Sequence, residues 1–103
     1  MAAEELRTAV QRLLAQVGHW ETGRWAVSAG AGTRGDLVHT LVQRLADLGA
    51  EAERRPHREV PREADTTLPD QLRVMTGDLL AVPAADELLA QAAAAIRTAR
   101  EAL

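Results

Sequence analysis

Leu6, Val10, Leu13, Leu14 and Val17 fall at i, i+4, i+7, i+8 and i+11. That spacing puts every one of them on a single helical face and is incompatible with an alternating strand. The same period returns in Leu37, Val38, Leu41, Val42, Leu45 and Leu48, and again in Leu68, Leu72, Met75, Leu79 and Val82. It closes the chain in Leu88, Leu89, Ala92, Ile96, Ala99 and Leu103. The expected helices run from about Ala3 to Val17, Arg34 to Leu48, Leu68 or Pro69 to Val82, and Pro83 to Ala102. The expectation is an all-α chain: one domain over 1–103, folded as a small up-and-down four-helix bundle with three long helices and one short. The alternative is a small α/β domain with a strand at 24–29.

Local chemistry sets the expected boundaries. Gly18 is a stop for the first helix, and Gly49 is expected to close the second in a left-handed conformation. Thr33 with Asp36 three residues later has the form of a capping box. Pro56 and Pro61 forbid a continuous helix, so about 50–67 reads as a polar, Pro- and Arg-rich connection with Val60 as its anchor. The segment from His19 to Gly32 is ambiguous. Thr22 can cap a short helix from Gly23 to Ala31, or Arg24–Ala29 can be a short buried strand.

Composition excludes several function classes. The chain of 103 residues has no Cys, so a disulfide scaffold, a thiolate metal site and a Cys nucleophile are excluded. Its net charge of -3 argues against nucleic acid, whose affinity comes from neutralised phosphates. No apolar run approaches the ~20 residues of a membrane span, and the acidic start is no secretory leader, so a cytoplasmic protein is expected. All 12 basic residues are Arg, Ala occurs 21 times, and Lys and Asn are absent. GC-rich codons explain that bias, which points to a high-GC bacterium rather than to phosphate chemistry.

Gly30-Ala31-Gly32-Thr33-Arg34-Gly35 satisfies G-x-G-x-x-G between a possible strand and a helix. Over Ala26–Gly49 the chain resembles the first strand, glycine turn and helix of Rossmann-type dehydrogenases. That resemblance implies a dinucleotide whose pyrophosphate sits on the helix N-terminus, with Gly30, Gly32 and Gly35 as cofactor-binding residues. The next segment, Ala50-Glu51-Ala52-Glu53-Arg54-Arg55-Pro56, departs from the second strand of that family, being charged and proline-terminated. A glycine-rich helix corner is therefore the preferred reading. Ala26-Val27-Ser28-Ala29-Gly30 resembles a nucleophile elbow, but the chain is too short for the large sheet such an elbow needs.

Arg54, Arg55, Arg58 and Arg62 make a local guanidinium cluster suited to a carboxylate or phosphate, but acids interleave with it and a solvated, self-paired loop is the preferred reading. Trp20 and Trp25 are expected to pack at the bundle end; an exposed Trp20 is instead an interface anchor. His19, His39 and His57 have no metal-ligand spacing, and no acid–base pair stands out. The resulting expectation is a non-enzymatic helical interaction or accessory module, binding a protein partner or a second copy of itself, with no cofactor. The alternative is a nucleotide-binding regulatory domain that uses Gly30–Gly35.

Overall fold

The computed structural model describes all 103 residues. In chain order it contains α1 (Ala2–Val17), α2 (Thr22–Trp25), β1 (Ser28–Ala29), β2 (Gly32–Thr33), α3 (Arg34–Ala52), a 3-10 turn (Asp65–Thr67), α4 (Leu68–Ala81) and α5 (Asp86–Glu101). The chain is all-α apart from a two-stranded hairpin. All four helices expected from the apolar stripes form, with 14 to 19 residues, so four are long where the bundle was expected to have three, and α2 adds a short one of four residues.

The apolar stripes build one core. Leu6, Leu13, Val38, Val42, Leu45, Leu72, Leu79 and Ile96 are buried in it, with Ala92 and Ala93 at the close approach of α5. Small side chains there let helix backbones come near each other, replacing the aromatic area that the chain lacks. Trp20 and Trp25 plug one end. Their rings meet edge to face, 5.0 Å apart at an interplanar angle of 72°. Trp25 is fully buried and Trp20 is 9% exposed. Trp20 is thus a packing residue, and the condition for reading it as an interface anchor, exposure, is not met.

The segment between α3 and α4 decides the topology. The side chain of Gln43 on α3 holds it at two points: Nε2 donates to the Arg58 carbonyl at 2.9 Å, and Oε1 accepts from the Val60 N–H at 2.7 Å. Further on, Arg62 reaches Asp36 in the first turn of α3. The segment therefore runs back along α3 to its beginning, with Val60 buried as expected. As a result α4 starts beside the N-terminus of α3 and runs parallel to it, with Met75 and Asp78 level with Ala46 and Gly49. Up-and-down alternation holds from α1 to α3 and from α4 to α5. Between α3 and α4 the chain crosses over.

Expected boundaries move at both α5, which starts at Asp86 rather than Pro83, and α3. Gly49 does not end α3. The helix continues to Ala52 and closes with a Schellman pair: the Arg55 N–H donates to the Ala50 carbonyl at 2.8 Å and the Arg54 N–H to Glu51 at 3.2 Å. Burial of Ala50 draws the helix past the glycine. Arg54 takes the left-handed position at φ 56°, the single non-glycine residue that does so. An L side chain there costs about 1 kcal/mol that glycine does not incur. Arg54→Gly is expected to raise stability by about 0.5–1 kcal/mol, the unfolded-state entropy of glycine offsetting part of the gain. A urea titration with an unchanged slope and a raised midpoint is the expected readout; a lowered midpoint contradicts this account of the cap.

The strand alternative at 24–29 is also corrected. Arg24 and Trp25 are helical, and extended backbone is confined to Ser28–Ala29 paired with Gly32–Thr33. Gly30 at φ 62° and Ala31 form the two-residue turn. Glycine at the first position of a two-residue hairpin loop is the type II′ signature.

Candidate functional site

The hairpin feeds directly into α3, and the junction is held by its own side chains. The Arg34 N–H donates to the Val27 carbonyl at 2.9 Å. The Asp36 N–H donates to Thr33 Oγ1 at 3.1 Å, and the Thr33 N–H returns a bond to Asp36 Oδ2 at 3.0 Å. This is the capping box expected from the sequence. Arg34 extends over the ring of Trp20, 4.8 Å from its centroid, and donates to the main-chain carbonyl of Leu103 at 3.3 Å. One arginine thus joins the corner, the tryptophan plug and the end of α5.

The three glycines have specific structural roles. Gly30 supplies the positive φ of the turn. A Cβ at Gly32 would meet Asp36 Oδ2 at 2.6 Å, and one at Gly35 would meet the Asp65 carboxylate at 2.5 Å. Two of the protein's own carboxylates therefore crowd the N-terminus of α3, where the Rossmann resemblance would put a pyrophosphate. The hairpin is antiparallel and two-stranded, so the parallel strand that a βαβ unit requires is missing. Ser28 is exposed on β1, with no His or acid bonded to it.

The arginine cluster is dispersed. Arg62 bridges Asp36 at 3.2 Å and Asp65 at 2.8 Å, tying the crossover to the start of α3. Arg55 pairs with Glu53 two residues away. Arg54 occupies the helix cap, and Arg58 contributes its carbonyl to Gln43. Arg62 and Arg55 therefore pair with different acids at opposite ends of α3, while Arg55 and Arg58 line a common hollow beside Glu53 and Glu59.

Asp36 lies at the centre of this network. Its carboxyl is held below the ordinary carboxylate value, chiefly by the Thr33 backbone N–H and then by the Arg62 guanidinium. The unfolded chain lacks both partners and so binds the proton more readily. The resulting stabilisation is present above the unfolded value of about 3.9 and is lost as pH falls through the lower folded value. Thermal unfolding followed from pH 5 downward is expected to weaken more steeply in the wild type than in Asp36→Asn. Parallel curves contradict the role of Asp36.

Beside this corner lies the feature that sequence reasoning missed. An open, mostly apolar groove of about 570 Å³ runs between α3 and the C-terminal half of α5. Leu37, Leu41, Ala95 and Ala99 form its floor. Asp36, Thr40 and Arg44 edge it on α3, Thr98 and Ala102 edge it on α5, and the hairpin residues 29–33 close one end. The available signal was the exposed i, i+4, i+8 row Asp36-Thr40-Arg44 next to small residues on the opposite helix. It becomes visible only once α3 and α5 are known to be antiparallel neighbours, as the 3.1 Å bond from Arg44 to Gln91 Oε1 and the contact of Arg34 with Leu103 show.

No three His or acidic side chains are grouped to hold a metal ion. No helix is long and apolar enough to cross a membrane. The fold and the groove define the class: a small all-α bundle with one open apolar groove. No protein-family model, curated protein or solved structure matches the chain.

Proposed function

We propose that this chain is a non-enzymatic helical interaction module that binds protein through the α3–α5 groove, in the cytoplasm of a high-GC bacterium. The observation that carries this reading is the groove itself. It is shallow and mostly apolar, with Asp36, Thr40, Arg44 and Thr98 as its polar side chains alongside Leu37, Leu41, Ala95 and Ala99. Interfaces are built in the same way, with an apolar centre inside a polar rim. Its walls are anchored by the capping box and by Arg34, so the surface is presented rigidly, which lowers the ordering cost of binding. The absence of Cys is compatible with the cytoplasmic setting.

Thr98→Arg tests the reading. Thr98 is exposed and lines the groove, so a long charged side chain obstructs it without entering the core. The expected result is a variant with wild-type melting that no longer binds the protein retained by the wild type, whether a second copy or another chain. Equal binding by both forms, or no self-association and no retained protein for either, overturns the proposal.

A further inference from the structure

The reading of the groove as a docking surface leaves its occupant open, and the inference below rests on that reading. We propose that the occupant is a second copy of this chain, seated so that the two α3 helices cross antiparallel at Thr40. Charge and symmetry both favour this arrangement. Asp36, Thr40 and Arg44 follow each other at spacing four, all exposed, all on the groove edge. With a rise of about 1.5 Å per residue, the acid and the arginine lie about 12 Å apart along the axis, with Thr40 midway between them.

A two-fold contact between copies is isologous: if residue i meets residue j, then j meets i. An antiparallel pair of α3 helices centred on Thr40 sets Asp36 of each copy against Arg44 of the other. The row is therefore complementary to itself in that one register. A parallel pair sets Asp36 on Asp36 and Arg44 on Arg44, and like charges across an interface are costly.

The remaining chemistry agrees. Arg44 uses one nitrogen on Gln91, which leaves most of its five N–H donors free. Asp36 carries four acceptor sites, and Thr33 and Arg62 do not exhaust them. Thr40, Thr98, Ala95 and Ala102 are small, so the partner helix can approach closely. A standard interface of about 800 Å² per copy takes roughly an eighth of the 5969 Å² surface, so the contact would extend beyond the groove itself.

The chain has no Cys, so Thr40→Cys introduces a single thiol on the proposed two-fold axis. Mild oxidation at the concentration where light scattering shows dimer is expected to give a disulfide-linked dimer, while Thr8→Cys on exposed α1 does not cross-link. Disulfides form only when the Cα atoms come within about 7 Å. In parallel, Arg44→Glu sets acid against acid twice and is expected to weaken self-association at least tenfold with melting of the monomer unchanged. If that variant fails to fold, the Thr40→Cys cross-link still decides the question. A dimer that neither cross-links at Thr40→Cys nor responds to Arg44→Glu overturns this register. So does a wild type that stays monomeric at high concentration. In the latter case the groove reading survives if Thr98→Arg abolishes binding of a different protein, and falls with the inference if nothing is bound at all.

Discussion

Trp25→Ala is expected to cost about 3–5 kcal/mol of folding stability, the largest loss of any single truncation in this chain. Trp25 is fully buried, sits beneath the hairpin corner and packs edge to face on Trp20. It is one of only two aromatic residues, so Trp20 is the single ring beside the space its removal would leave. A domain of this size is stable by only about 5–15 kcal/mol, so the variant is expected to unfold partly at ordinary temperature. Trp25→Phe gives the contrasting result. The indole Nε1 of Trp25 is buried without a hydrogen-bond partner. Such an orphan donor costs about 1–3 kcal/mol, and phenylalanine removes it while keeping most of the apolar area. The phenylalanine variant is expected to lose about 1 kcal/mol or less. Chemical unfolding measures both. A loss below about 1 kcal/mol for the alanine variant contradicts the role of Trp25 as the plug of the bundle.

The second large effect is a reversal of sign at Gly35. The Asp65 carboxylate lies 2.5 Å from where a Cβ on Gly35 would stand and is held there by Arg62, so Gly35→Ala forces it aside at the expense of that 2.8 Å pair. Overpacking of this kind costs about 1–3 kcal/mol. With Asp65→Ala already in place the obstruction is gone. Alanine then helps, because it is a better helix residue than glycine by about 1 kcal/mol. Gly35→Ala is therefore expected to destabilise the wild type and to stabilise the Asp65→Ala background. The coupling in such a cycle reports the contact itself. Additive effects contradict the close approach of the crossover to α3.

This pair of residues also marks the limit of what sequence could tell. The helical stripes were legible because their period is local, and so was the capping box of Thr33 and Asp36. The proximity of Asp65 and Gly35 was not, because it depends on the course of the whole crossover. That course is fixed by Gln43, a polar side chain on a helix flank with no periodic signal. At Gly30-Ala31 the hairpin signal was present but carried strands of only two residues, too short for alternation to register, and the G-x-G-x-x-G pattern overlay it. Gly49 misled because burial of Ala50 outweighed the glycine as a helix terminator. The arginine cluster looked like a unit because its members are close in sequence. In the fold Arg62 turns toward α3 while Arg55 pairs locally. The groove was hidden because its two walls lie more than 40 residues apart in the chain and each wall alone reads as an ordinary solvated face.

Backbone amide shifts of the labelled protein, recorded across a dilution series from about 1 mM to about 10 µM, report on self-association through α3 and α5, since that range spans weak to moderate affinities. The account predicts concentration-dependent movement confined to the groove, at Thr33, Asp36, Thr40, Arg44, Thr98 and Ala102, with the Arg54–Arg58 segment unmoved. Movement centred on another face, or none at the groove residues throughout the series, contradicts self-association through α3 and α5.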